Sequence, residues 1–78
     1  MENTYEANHM KRESVSSSLL ESVGHDPDEN VLEVELESGA IYQYRDVPEE
    51  TYEELLAADS LGRYFNYHIR DRSYVQIR

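Results

Sequence analysis

Arg63, Tyr67 and Arg70 recur at i, i+4 and i+7, with Asn66 beside them, so on a helix the four side chains share one face. Guanidinium groups grip phosphates bidentately and a tyrosine ring can stack on an unpaired base, the two contacts that single-stranded nucleic acid requires. Arg72 adds a further cation close by. The plainer reading, which the charge balance favours, is a solvated helix face whose arginines pair with the surplus of surface glutamates. Tyr42 and Tyr44, alternate residues of an extended segment, offer a second aromatic platform of the kind some RNA-binding sheets present. Core packing is the favoured role for these two rings.

Other chemistry-bearing residues lack the surroundings that would make them a site. Ser16, Ser17 and Ser18 have no glycine elbow and no partners for a nucleophilic triad, so they read as strand-edge or backbone-capping hydroxyls. Glu33, Glu35 and Glu37 alternate along a strand, which puts successive carboxylates about 7 Å apart on what is expected to be a solvent face, where nothing separates an acid from a base. His9, His25 and His68 have no mutual metal-ligand spacing, and His25 with Asp26 and Asp28 lacks the pattern of a calcium loop. Without cysteine there is no disulfide, thiolate zinc site or cysteine nucleophile. No catalytic residue, metal or cofactor is therefore expected, and the chain reads as not an enzyme.

Charge divides the chain. Seventeen acids against seven Lys and Arg give a net charge of −10, yet residues 63–78 carry four arginines and a single acid, Asp71, a net of +3 that leaves −13 for residues 1–62. An acidic body repels polyanions at long range, unless the protein works at high salt, where the Debye length shrinks to about 3 Å at 1 M. One Lys against six Arg is compatible with such a halophilic source. The absence of cysteine and of any apolar run near the start points to a cytoplasmic protein with no membrane segment.

The elements that must position these residues follow from pattern. Residues 1–14 are polar and aperiodic and read as a disordered tail, with one domain over residues 15–78. A weak first strand is expected over residues 15–23 and a turn over residues 25–30, where Pro27, Asp and Asn cluster. Leu32, Val34 and Leu36 alternate with glutamates as in a half-buried strand, Ser38 and Gly39 form a hairpin, and residues 40–45 return. A two-residue loop would turn Tyr42 and Tyr44 outward; a three-residue loop, favoured because it buries both rings, puts them with Val34 and Leu36. Pro48 at a first helical position starts a helix with Tyr52, Leu55 and Leu56 as its buried stripe. Asp59 and Ser60 end it and cap a second helix over residues 61–71, with Leu61, Phe65, His68, Ile69 and Arg72 inward. Tyr74, Val75 and Ile77 form an extended tail suited to a sheet edge. The fold class is α+β: a small antiparallel meander of about three strands packed against two C-terminal helices.

So arranged, residues 15–74 resemble a KTSC domain, the short module named for its occurrence at the C-terminus of some lysyl-tRNA synthetases and also found alone. The resemblance rests on Ser17 and Ser18, Gly24, Asp26, the alternating Leu32, Val34 and Leu36, and Gly39 before Tyr42 and Tyr44. It continues through Val47 and Pro48, Tyr52, Leu55, Ser60, Gly62, Phe65, Asn66, Ile69 and Tyr74. Leu61 stands where a basic residue often precedes the glycine, and His25 where an aromatic is common. The resemblance implies a non-catalytic binding module and, through its association with a tRNA-handling enzyme, RNA (tRNA or single-stranded) as partner; it does not imply synthetase activity. The alternative is a protein-interaction module that meets a basic partner on its acidic face or adds a strand at an exposed sheet edge.

Overall fold

A computed structural model describes residues 10–78. In chain order the elements are β1 (Glu13–Ser14), β2 (Leu20–Asp26), β3 (Val31–Leu36), β4 (Ile41–Tyr44), α1 (Glu49–Ala57), α2 (Leu61–His68) and β5 (Tyr74–Gln76). The five strands form one antiparallel sheet in the order β1-β2-β3-β4-β5. Five strands replace the expected three because β1 and β5 are too short to show a period. The sheet thus begins at Glu13, inside the expected tail; residues 1–9 of that tail, His9 among them, lie outside the described residues.

β2 begins at Leu20 rather than near Val15, and a bulge explains why its pattern is weak. Leu20 pairs with Leu36 and Ser22 with Glu35, leaving Glu21 as an extra residue, so Leu20 and Val23, three apart, are buried on the same face. Ser17 Oγ accepts the N–H groups of Leu19 (3.1 Å) and Leu20 (3.2 Å), the backbone-capping role expected of a hydroxyl there. The turn after β2 starts only at Pro27, and Asp26 Oδ1 caps it by accepting from Asp28 N–H at 3.0 Å.

The hairpin between β3 and β4 has the three-residue loop. Leu36 and Ala40 close it, Gly39 N–H returns to the Leu36 carbonyl at 2.8 Å, and Gly39 takes φ 97°, which a side chain would resist. Tyr42 therefore lies opposite Val34 and Tyr44 opposite Leu32, on the face that the helices cover. Tyr44 is buried beside Leu20, Val23, Leu32, Val34, Val47, Leu55, Phe65 and Ile69, and its hydroxyl donates to the Arg70 carbonyl at 3.4 Å.

Burial, with Tyr74 and Tyr42 adding to it, pushes the Tyr44 phenol from 10.0 up to about 12. The folded state thus holds this proton more tightly than the unfolded chain, so the stability it contributes is complete below about pH 10 and is lost as pH rises towards about 12. Urea melts on either side of this window are expected to show a steep alkaline loss, shallower in Tyr44→Phe; equal losses in both proteins would disprove the assignment.

Pro48 sits at the N-cap of α1, one residue before the expected position, and Glu49 and Glu50 occupy the first turn, where the helix dipole favours anions. Of its expected stripe, Leu55 is buried and Tyr52 half-buried, whereas Leu56 is exposed, since α1 touches the body along one narrow line. Ser60 caps α2 by accepting Arg63 N–H at 3.2 Å. α2 stops three residues before the expected Asp71: the Phe65 carbonyl accepts both Ile69 N–H and Arg70 N–H, which unwinds the last turn and drops Ile69 into the core. His68, expected inward, is exposed with its ring tilted against Tyr64. Among the described residues no helix is long and apolar enough to cross a membrane.

The opposite face of the sheet overturns the expectation of a solvent-facing glutamate row. Glu33 is completely buried, and Glu35 is half-buried. Residues 11 and 12 lie over this face beside Gly24, where a Cβ would run into the Lys11 carbonyl oxygen, so glycine is what lets the chain pass so close. From there the Arg12 guanidinium is ion-paired with Glu33 and donates through Nε to Ser22 Oγ at 2.9 Å. Ser22 donates on to Glu35 (2.9 Å), Gln43 donates to the second oxygen of Glu33 (2.8 Å), and Arg78 pairs with Glu35 at 3.1 Å. Every carboxylate that the fold covers here has a cation or amide beside it, which is the condition for burying charge.

Candidate nucleic-acid interface

Because α2 packs through Phe65 and Ile69, the residues between them in helical phase must point away from the core. Arg63, Asn66, Tyr67 and Arg70 are accordingly all exposed, Tyr67 by 76%. The sequence stripe is thus intact on the surface. Its arginines are not consumed by surface glutamates: among the described residues the ion pairs are those of Arg12 and Arg78 on the far side of the sheet. Arg70 instead donates to Asn66 Oδ1 at 3.2 Å, which orients both side chains along the helix.

Two hollows lie along α2 and meet at Leu19 and Asn66, which line both. One, of about 490 Å³, is bounded by Ser18, Ser60, Arg63 and Tyr67. The other, of about 460 Å³, has an aromatic wall. Tyr42 and Tyr74 stack there at 4.5 Å and 24°, with Tyr44 and Phe65 edge to face at 5.7 Å behind them. Arg70 and Asp71 supply its polar rim. Together the hollows form a groove with a cation in each half, a protruding tyrosine at one end and a stacked pair at the other.

Seven residues stood as candidate nucleic-acid contacts, with core packing the favoured role for Tyr42 and Tyr44, and the fold uses them differently. Arg63, Asn66, Tyr67 and Arg70 border the groove, and Tyr42 stands in its wall. Tyr44 is floor: at 1% exposure it offers no face for a base. Arg72 lines the aromatic hollow, but its guanidinium is held by the carbonyls of His68 (2.9 Å) and Asp46 (3.2 Å), where it ties the end of α2 to the loop after β4. Tyr74 and Asp71 are groove residues that the sequence reading left out of the site. The pairing of β5 with β4, which sets Tyr74 against Tyr44 in register and beside Tyr42, brings in the first; the turn that ends α2 brings in the second.

Among the described residues neither His25 nor His68 lines the groove. His25 belongs to β2, its ring stacked on Tyr52 at 5.2 Å and its Nε2 bonded to the Val47 carbonyl at 2.6 Å, so it fills an aromatic's place under α1. Among the described residues no three His, Cys, Asp or Glu side chains gather as metal ligands.

Residues 16–74 match the model of the KTSC domain. An uncharacterised protein of Stutzerimonas stutzeri (strain A1501) is 51% identical over 65 residues, which are 83% of this chain and 92% of that protein. A protein of Tsukamurella paurometabola is 43% identical over 58 residues, 74% of this chain and 87% of its own length. Among solved structures, the crystal structure of a KTSC domain protein from Yersinia pestis superposes with a TM-score of 0.77 at 38% identity, covering 88% of this chain and 96% of that one.

Proposed function

Starting from the fact that this chain belongs to the KTSC domain family, we propose that it is a non-catalytic binding module whose ligand is single-stranded RNA, held in the groove along α2. The observation that carries this reading is the groove itself, in which Arg63 and Arg70, neither ion-paired to a described carboxylate, flank Asn66 while Tyr67 and Tyr74 expose rings at its two ends. Each guanidinium takes a phosphate and each ring a base, contacts that tolerate any sequence. The acidic body limits reach: residues 1–62 carry a net charge of −13, so a long polyanion gains little beyond the groove. The competing reading, a protein partner on the acidic face or at an exposed sheet edge, keeps Glu37, the exposed glutamates of α1 and the edges β1 and β5, but Glu33 and Glu35 are already engaged by Arg12 and Arg78.

Fluorescence polarisation with a labelled single-stranded RNA, repeated across salt, tests the reading. Two phosphate contacts correspond to a log–log salt slope of about −1.4, at about −0.7 per contact for single strands. The Arg63→Ala/Arg70→Ala variant, altered only at exposed positions, is expected to bind roughly tenfold to a hundredfold more weakly, as loss of two charge-assisted contacts implies. Binding that ignores both salt and the double substitution sinks the proposal.

A further inference from the structure

Asp71 is the one acid in a stretch that otherwise carries four arginines. A carboxylate next to phosphate-gripping cations opposes binding unless it has a ligand group of its own. It lines the aromatic hollow, is exposed, and makes no hydrogen bond or ion pair with any described residue. On the same rim the guanidinium of Arg70, which can only donate, occupies Asn66 Oδ1 and leaves the amide N–H donors of Asn66 to the hollow.

We propose that this hollow selects guanine, an inference that rests on the single-stranded RNA reading above. Its polar rim presents two carboxylate acceptors and an amide donor. Guanine is the base whose Watson–Crick edge offers the complement: N1–H and the N2 amino group side by side for a carboxylate, with O6 as acceptor for an amide. Adenine, cytosine and uracil each turn a lone pair towards Asp71 where guanine has an N–H. The outer face of the stacked Tyr42 and Tyr74 pair gives the ring a surface to lie on. Asp71 is thus the residue that discriminates, and the arginines those that hold.

The test compares labelled hexauridine with hexamers carrying one central guanosine, inosine or adenosine, on the full chain and on Asp71→Asn. The guanosine hexamer is expected to bind roughly tenfold tighter than hexauridine or the adenosine hexamer, the scale of one good bidentate base contact, with inosine, which lacks the amino group, in between. Asp71→Asn is expected to bring all four within about twofold and to tighten hexauridine, because a negative charge beside the phosphates is gone. Equal affinities for the parent protein, or a guanosine preference that survives Asp71→Asn, overturn guanine selection while leaving RNA binding in place. Failure of every hexamer to bind even at low salt removes the underlying reading and this one with it.

Discussion

Arg12→Met is expected to destabilise the domain by about 3 kcal/mol, the low end of the cost of removing one partner from a buried ion pair. Glu33 has no exposed surface, and its two oxygens are taken by Arg12 and Gln43. With methionine at position 12 the cover stays but the cation goes, leaving a desolvated carboxylate with one amide donor. The Arg12 side chain is itself 22% exposed, so water recovers part of the loss and the upper end of that range is not reached. On a chain of this size such a change lowers the melting temperature by roughly 12–24 °C. Chemical denaturation checks it, and Arg12→Met/Glu33→Met is the control. Replacing both charges with apolar groups of similar size is expected to recover most of the loss. A single variant within about half a kcal/mol of the parent protein would mean that surface screening, rather than burial, governs the pair.

Gly24→Ala is expected to do comparable damage from the other side of the same contact. The added methyl meets a backbone carbonyl at Lys11, with Arg12 Cγ only 3.2 Å away, so the crossing segment must lift rather than a side chain rotate. Lifting it withdraws Arg12 from Glu33 and Ser22, and the loss should approach the same roughly 3 kcal/mol. The diagnostic is coupling. Combined with Arg12→Met, Gly24→Ala should add little, because the interaction it breaks is already absent. Full additivity of the two would show that the glycine serves something other than the passage of residues 11 and 12.

Both substitutions probe a region that lay hidden in the sequence. The family match begins at residue 16, so Arg12, the cation of the buried pair, falls outside it. Alternation correctly put Glu33 and Glu35 on one face, but period 2 states which residues share a face and is silent on whether anything covers it. The cover here is residues 11 and 12, in a stretch with no period, and the clue was a small residue in a strand, Gly24, opposite Glu33 in register. The tyrosine hairpin was legible for the contrary reason: two large rings make one register much better buried than the other, and the three-residue loop follows.

The site divides along the same line. The α2 stripe could be read because helical phase is local, so Phe65 and Ile69 inward force Arg63, Asn66 and Tyr67 outward. Helical phase places Arg72 inward, but the helix unwinds at Ile69, so the turn rather than the helix sets its position against the His68 and Asp46 carbonyls. Tyr74 and Asp71 reach the groove only through strand pairing and a turn, neither of which has a period to reveal it.

The strand order has a consequence for motion. Each of the first four strands pairs with its neighbour across a short connection, whereas β5 joins β4 only after residues 45–73, the excursion that carries both helices. Loop closure makes that pairing the costliest in entropy, and β5 is a three-residue edge strand with every residue exposed. β5 is therefore an edge suited to local opening, and its release takes Tyr74 away from Tyr42 and Arg78 away from Glu35, while the Arg12 and Gln43 contacts to the buried Glu33 stay in place. Of the rings in the groove's aromatic wall, Tyr74 alone rides on that late-closing edge, while Tyr42, Tyr44 and Phe65 belong to β4 and α2.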